Sequence, residues 1–214
     1  TGVDPTATFA TDTPYNNQAI TDQDFFIIRV TAQDATTILY YKIVVTVLPT
    51  YSLAAAGPSG GWIFYINANY ATDGWRYLEA GALSTQTTAY WSNTSHSIGT
   101  SSDIGTGQAN TTAIVTYLNS IPETGMAAQV CNDLSVTNGA FTYNDWFLPA
   151  LSEVGQMYAN IKVVGGFTTD PNTFYWSSTE NGPSNVLLVN FNNGTQPTAS
   201  KSFGPLRFRC ARAF

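Results

Sequence analysis

The C-terminal seventy residues constrain the fold most strongly, because strand-like runs and turn residues alternate there. A strand-like run begins at Phe174, and two more, at residues 186–191 and 195–203, flank Asn192-Asn193-Gly194. An Asn-Gly step between apolar runs is a strong hairpin signal. The run at 206–210 alternates, which places Leu206, Phe208 and Cys210 on one face and Arg207 and Arg209 on the other. The pattern predicts a sheet at this end of the chain.

The middle of the chain has the apolar spacing of helices. We predict helices over residues 109–118 and 125–134, and a third after Pro149, each with apolar side chains three or four positions apart. Short strands are predicted at 60–66 and 75–80. With helices in the middle and strands at both ends, the prediction is an α+β fold in which the first and last strands pair.

Residues 1–49 have a different character and are predicted to form a separate segment. The runs at 25–32 and 38–47 are rich in β-branched and aromatic residues, and 33–37 supplies turn residues between them. This pattern predicts a hairpin of two long strands. Residues 50–59, with Ala54-Ala55-Ala56-Gly57-Pro58, read as a linker. The predicted organisation is therefore 1–49, a linker at 50–59, and a second domain at 60–214.

Composition limits the partners and the location of the protein. Charged residues are 10% of the chain, aromatic residues are 14%, and the net charge is −6. Nucleic-acid binding requires clustered Lys and Arg, so this balance argues against it. No apolar run approaches the ~18 residues that span a bilayer, so membrane insertion is not expected. We expect an extracellular or cell-surface protein, present here as a fragment of something longer.

Cys131 and Cys210 are the only cysteines. They form one disulfide or remain two small buried thiols, and the surface-protein composition favours the disulfide. The single histidine, His96, has no ligand-type partner at metal spacing and no motif of a catalytic triad around it. Nothing in the spacing of the carboxylates selects a catalytic pair. We therefore expect no catalytic residues, no metal site, no cofactor and no enzymatic activity.

Six blocks from residue 60 onward, taken in order, resemble a bacterial C-type-lectin-like family found at the C-termini of collagen-like adhesins and in related surface and phage tail proteins. The blocks are Gly61-Trp62-Ile63-Phe64-Tyr65-Ile66, residues 104–112, Ala127-Ala128-Gln129-Val130-Cys131, Asp145-Trp146-Phe147-Leu148-Pro149, Tyr175-Trp176-Ser177-Ser178-Thr179-Glu180 and Arg209-Cys210-Ala211-Arg212. The resemblance implies a C-type-lectin-like domain with paired terminal strands and long loops, which presents ligands rather than catalysing reactions. The hairpin at 25–47 resembles the end of a bacterial cadherin-like β-sandwich repeat, and this implies a small all-β (Ig/cadherin-like) segment before the lectin-like domain.

The chain departs from this family at two places. The family has Ser or Thr after Leu-Pro as the first half of a capping box, but Ala150 stands there, with Glu153 at the acidic position. Ser152 is a candidate cap from a shifted helix start. Many animal C-type lectins also hold sugars through calcium with Glu-Pro-Asn or Gln-Pro-Asp, whereas Gln196-Pro197-Thr198 is the nearest match here. Calcium is possible on this basis but is not predicted.

Four residues are predicted to be structural: Asp145, Trp146, Trp176 and Arg212. We expect Trp146 in the core, with Asp145 bonded to backbone amides or to an arginine. Arg212 has the strand parity of Phe208 and Cys210, so it should point inward and require an anion. Asp145 or Glu180 is the predicted partner.

The predicted ligand-binding surface lies between residues 167 and 203. Asn side chains and aromatic faces suit sugar hydroxyls and protein epitopes, and ligand contacts of the resembled family fall in this region. The alternative is that Asn-rich turns are simply good turns. The candidate ligand-binding residues are Tyr175, Asn181, Asn185, Asn190, Asn192, Asn193 and Lys201.

The function predicted from these observations is a non-enzymatic adhesion module that recognises a glycan or a host or cell-surface protein. One alternative is a structural tip or spacer domain of a surface fibre or phage tail, and another is a carbohydrate-active hydrolase. A flat polar face rich in Asn and Tyr would favour binding. A symmetric apolar face would favour the structural role, and a concave aromatic groove with a carboxyl of raised pKa would favour the enzyme.

Overall fold

Apolar periodicity and turn residues place most of the regular elements where the sequence pattern predicts them. A computed structural model describes residues 8–11, 25–31, 36–44 and 49–214. The chain divides into two compact units, Thr1–Thr50 and Tyr51–Phe214. Within the described residues, no helix has the length and apolar character that crossing a bilayer requires.

The described part of the first unit is a three-stranded antiparallel sheet. Its strands are β1 (Thr8–Thr11), β2 (Phe25–Thr31) and β3 (Ile38–Val44), in the order β1-β2-β3. The β2–β3 hairpin is confirmed, with register from Phe25↔Val44 to Thr31↔Ile38. Residues 33–35 of the predicted turn and 45–48 at the end of the second strand lie outside the described residues. The large apolar side chains of β3 are exposed on both of its faces.

The second unit contains four α-helices, three of which were predicted, and ten strands. The helices are α1 (Tyr70–Asp73), α2 (Gly107–Asn119), α3 (Ala127–Asn132) and α4 (Leu151–Ile161), and a 3₁₀ turn covers Leu83–Thr85. The strands are β4 (Trp62–Ile66), β5 (Tyr77–Ala80), β6 (Thr87–Ala89), β7 (Val136–Asn138), β8 (Phe141–Tyr143), β9 (Phe174–Glu180), β10 (Asn185–Asn190), β11 (Thr198–Ser200), β12 (Leu206–Phe208) and β13 (Ala211–Ala213). The helices predicted at 109–118, 125–134 and after Pro149 correspond to α2, α3 and α4.

The predicted fold class is wrong. The strands of the second unit form three small sheets, ordered β11-β10-β9-β12-β6, β13-β5-β4 and β7-β8. The first and last strands of this unit, β4 and β13, do not pair, because β5 lies between them and bonds to both. All four residues of β5 are buried, which suits a central strand. The unit is therefore not the lectin-like domain closed by its terminal strands, and the described part of the first unit is one sheet rather than two packed sheets.

The terminal alternating run at 206–210 ends at a change of sheet. β12 belongs to the five-stranded sheet and β13 to the three-stranded sheet, so the chain changes sheet at Arg209 and Cys210. As a result Arg209, predicted on the outer face, is 1% exposed. Its guanidinium donates to the carbonyl oxygens of Gly81 and Gly165 and to Gln86 Oε1. Burial lowers the pKa of Arg209 to about 10.

Helix α4 begins at Leu151, without the shifted start that Ser152 would have capped. Glu153 Oε2 accepts a hydrogen bond from the Ala150 N–H at 2.7 Å, which supplies the acidic half of a capping box. The hydroxyl that Ala150 lacks comes from β9, where Thr179 Oγ1 accepts the Leu151 N–H at 2.9 Å. The donors at this helix start are thus satisfied by a distant strand, a solution that local sequence does not reveal.

Two apolar cores fill the second unit. One contains Trp91, Trp146 and Trp176 and packs α2 and α3 against the five-stranded sheet, and the other packs α4 against β4 and β5. The predicted disulfide is confirmed: Cys131 on α3 is bonded to Cys210 between β12 and β13, with a sequence separation of 79 residues. The bond therefore ties the first core to the point where the chain changes sheet.

We expect the double substitution Cys131→Ala/Cys210→Ala to lower the free energy of unfolding by about 4 kcal/mol, because a closed loop of this length restricts the unfolded chain. Guanidinium unfolding, followed by tryptophan fluorescence, measures the loss. Wild-type protein in dithiothreitol is the control and should behave like the variant. A loss below about 1 kcal/mol would contradict the assignment of a stabilising role to this bond.

Candidate functional site

Three of the seven predicted ligand-binding residues are buried and have partners inside the fold. Tyr175 donates its hydroxyl to Gln86 Oε1 at 2.9 Å. Asn190 Oδ1 accepts the Asn192 N–H at 2.8 Å, and its amide nitrogen donates to the Pro171 carbonyl oxygen. Lys201 is 2% exposed. These side chains hold the structure together and are not available at the surface.

The four exposed asparagines of the prediction lie at opposite ends of one strand. Asn181 lies in the turn before β10 and Asn185 is the first residue of the strand, whereas Asn192 and Asn193 belong to the turn after it. Five steps of about 3.4 Å along β10 separate its two ends by roughly 17 Å. The structure therefore divides the predicted site into two, and the 181–185 turn packs against the loop at residues 92–100.

A buried ion pair lies beneath that turn. The Lys201 ammonium contacts Glu180 Oε1, and their side chains are 3% and 5% exposed. The same ammonium donates to the His96 carbonyl oxygen and lies 4.6 Å from the centre of the Trp91 ring. A buried charge needs partners of this kind to offset its lost hydration. Lys201 thus stabilises this surface from inside the fold.

Glu180 connects the ion pair to the loop at residues 92–100. Its second oxygen, Oε2, accepts the Ile98 and Gly99 N–H groups, each at 2.9 Å. Its backbone N–H donates to Thr100 Oγ1 at 2.7 Å. A carboxylate that receives two amides and an ammonium is fully coordinated, so the loop is held by charge-assisted bonds along its second half.

The first half of the loop is fixed against the 181–185 turn and against α2. The His96 N–H donates to the Pro183 carbonyl oxygen at 3.0 Å, and the Ser95 and Ser184 hydroxyls are 3.1 Å apart. The His96 ring stacks on Tyr117 with a centroid distance of 4.3 Å and an interplanar angle of 5°. We call residues 93–97, Tyr117 and residues 181–185 the polar face.

The polar face offers hydroxyl, amide and imidazole groups and carries no Asp, Glu, Lys or Arg. Side chains 93–97 and 181–185 are all exposed. Sequence reasoning missed His96 and Tyr117, since it examined His96 only as a metal ligand or catalytic base. The two residues are 21 positions apart and meet only through tertiary packing.

Two of the predicted structural residues, Asp145 and Arg212, belong to a second charge network, in which Arg212 is largely buried and the Asp145 side chain is 45% exposed. Arg212 pairs with Asp145 in two bonds of 2.8 and 2.9 Å and with Glu79 Oε2 at 3.3 Å. Glu79, which the sequence analysis did not select, is fully buried and also accepts the backbone N–H groups of Ser59 and Gly61. Trp146 and Trp176 are buried in the first core. The charge network thus joins β13 to β5 within the three-stranded sheet and to Asp145 outside it.

A groove of about 570 Å³ lies between α2 and α3. Its lining is aliphatic and amide rather than aromatic, and includes Val115, Val130, Leu134, Asn119, Gln129 and Asp133. Across the described part of the chain, no group of three or more His, Cys, Asp or Glu residues has an arrangement able to hold a metal ion.

One carboxyl group has a strongly shifted pKa, and it is not in the groove. Burial raises the pKa of Glu153 to about 7, although hydrogen bonds from the Ala150, Gly105 and Gly107 N–H groups oppose the shift. The side chain is fully buried and joins the start of α4 to the loop before α2. Its position makes it a structural acid that no substrate reaches.

Comparisons with known proteins concern the fold alone. No protein-family model matches the chain, and no curated protein matches it. Among solved structures, it is similar to a fimbrial protein from Bacteroides ovatus ATCC 8483, with a TM-score of 0.50 and 11% sequence identity. The similarity covers 99% of this chain and 65% of that one, so the chain spans less than two thirds of that protein. At this identity the likeness concerns the fold alone, and the comparisons do not show the predicted lectin-like family.

We expect Lys201→Met to lower the free energy of unfolding by about 3–5 kcal/mol, because it leaves the Glu180 carboxylate buried without its cation. The double variant Glu180→Gln/Lys201→Met should recover much of this loss. Chemical unfolding of the two single variants and the double variant measures the coupling. Equal destabilisation in the Lys201→Met single variant and the double variant would contradict it.

We expect the Glu153 carboxyl to make stability depend on pH. Its folded pKa of about 7 lies above the ordinary value of 4.5, so its stabilisation is fully present below pH 4.5 and is lost as pH rises through 7. This contribution is on the order of 3 kcal/mol. Unfolding free energies from pH 4.5 to 8 should fall more steeply in wild type than in Glu153→Gln. Asp170→Asn, at an exposed site, is the control and should retain the wild-type slope.

Proposed function

We propose that this protein is an extracellular component of a surface appendage whose second unit recognises a glycan or a surface protein, without catalysis. The observation that carries the proposal is the polar face, an exposed surface held by the buried Lys201–Glu180 pair. Pre-organised loops lose little entropy on binding, and this is the property expected of a recognition surface.

Three further observations support this function. The disulfide is of a kind formed outside the reducing cytosol. The similar solved structure is a fimbrial protein, and fimbriae are surface appendages. The polar face contains the exposed asparagines of the 181–185 turn, so part of the surface predicted from the sequence remains in the proposed site.

A second candidate function is a purely structural subunit of the appendage. The exposed apolar residues of β3 favour it, because a long apolar strand with few covering side chains is suited to pairing with another chain. The fimbrial likeness fits this role equally well.

The arrangement of carboxyl groups gives less support to the hydrolase alternative. Asp145 and Glu79 are paired with Arg212, Glu180 is paired with Lys201, and Glu153 is fully buried. The α2–α3 groove also lacks the aromatic lining that a sugar-cleaving site would use.

Binding of the purified chain to an array of glycans and to a panel of extracellular matrix and cell-surface proteins tests the proposal. Asn93→Ala/Asn185→Ala removes two exposed amides from the polar face. We expect it to weaken binding about tenfold or more, in line with the loss of two hydrogen bonds.

The matched control is Asn172→Ala/Asn192→Ala, which removes two exposed amides outside the polar face and should bind like wild type. No specific binding of the wild-type chain to any glycan or protein would favour the structural role. Equal effects of the two double variants would place recognition elsewhere on the surface.

A further inference from the structure

We infer that the stacked His96–Tyr117 pair is the ligand platform of the polar face, and that its ligand is an uncharged glycan. The inference rests on the proposed function and deepens it, since it names a class of ligand and the residues that receive it. It stands on three features of the structure: a fixed aromatic ring, a set of hydroxyl groups around it, and the absence of charge.

His96 is held by two backbone hydrogen bonds and by one ring contact. Its backbone N–H donates to the Pro183 carbonyl oxygen, and its backbone carbonyl oxygen accepts the Lys201 ammonium. One ring face lies on Tyr117 at 4.3 Å. His96 is nevertheless an exposed residue, and Tyr117 covers one of its two ring faces. A flat ring fixed at the surface offers an apolar face to the C–H groups of a pyranose.

Hydroxyl groups surround this ring in two bonded pairs. The Thr94 hydroxyl lies 3.3 Å from the Tyr117 hydroxyl, and the Ser95 hydroxyl lies 3.1 Å from that of Ser184. In the first pair either oxygen can be the donor, and Thr94 Oγ1 also lies 3.2 Å from Ser92 Oγ. In the second pair the Ser184 hydroxyl donates to Ser95 Oγ, which leaves the Ser95 proton and lone pairs for a ligand. Sugar hydroxyls also donate and accept, so they match a surface of this kind.

The charge distribution selects among glycans. Residues 93–97 and 181–185 contain no Lys or Arg, and the nearby Lys201 ammonium is buried and already paired with Glu180. Recognition of carboxylate or sulfate groups relies on exposed cations, which this surface lacks. A sialylated, uronic or sulfated glycan would therefore lose water at its anion without gaining a partner. The match is to a neutral saccharide.

The test is an array carrying neutral glycans, ended by galactose, mannose, fucose or N-acetylhexosamine, beside sialylated, sulfated and uronic glycans. We expect the bound set to be neutral. His96→Ala should weaken binding at least tenfold. His96→Phe, which keeps a ring on Tyr117, should stay within about threefold of wild type. Asn192→Ala is the matched surface control and should leave binding unchanged.

A second readout reports on the ring itself. His96 is the single histidine of the chain, so its imidazole signals in an NMR spectrum need no assignment by mutagenesis. Titration with the neutral oligosaccharide bound on the array should shift these signals and saturate with the binding curve. A merely structural His96 would show no such saturable shift.

The outcomes separate this inference from the proposed function. Binding of acidic glycans only, or binding that His96→Ala leaves unchanged, overturns the inference while leaving a recognition module. Binding to surface proteins but to no neutral glycan also overturns it. An absence of specific binding to any glycan or protein overturns both.

Discussion

The Lys201–Glu180 ion pair is the interaction on which the candidate site depends. It lies under the exposed surface, against the Trp91 ring, and its two members bond to the loop at 92–100 from both sides. Because both charges are buried, neither can be left unpaired without a large cost. The loop geometry is therefore coupled to the folding of the five-stranded sheet.

The second unit places several of its few charges inside the fold. Arg212 binds Asp145 and Glu79, Arg209 donates to carbonyl and amide oxygens, and Lys201 binds Glu180. The chain has 10% charged residues, and Lys201, Arg209 and Arg212 are buried among the residues whose burial the structure describes. The proposed recognition of a neutral ligand is consistent with this distribution.

The local sequence was sufficient to predict individual helices, strands and turns, but not how they are arranged in space. The spacing of Leu151, Val154 and Met157 predicted α4, and Asn192-Asn193-Gly194 predicted the turn after β10, because apolar periodicity and turn conformation are local properties. Strand pairing is not local. β4 and β13 each bond to β5, and the alternating run at 206–210 ends at Arg209 and Cys210, where the chain passes from one sheet to the next. Both the predicted pairing and the outward position of Arg209 were therefore wrong. The family resemblance rested on short blocks, which report the elements and not their order in a sheet.

The sequence by itself determined three of the four helices of the second unit, the β2–β3 hairpin, the disulfide and the low charge that argues against nucleic acid. It also led to the prediction that the 181–185 turn is part of a binding surface, and this stays a prediction. Only the tertiary structure decided which predicted residues are accessible, because burial of Tyr175, Asn190 and Lys201 depends on chain segments far from them in sequence. The tertiary structure likewise brought His96 onto Tyr117 and Glu79 onto Arg212. His96 and Tyr117 are separated by 21 positions in the sequence, and Glu79 and Arg212 by 133. Such contacts leave no periodicity in a sequence, since they arise from the packing of whole elements.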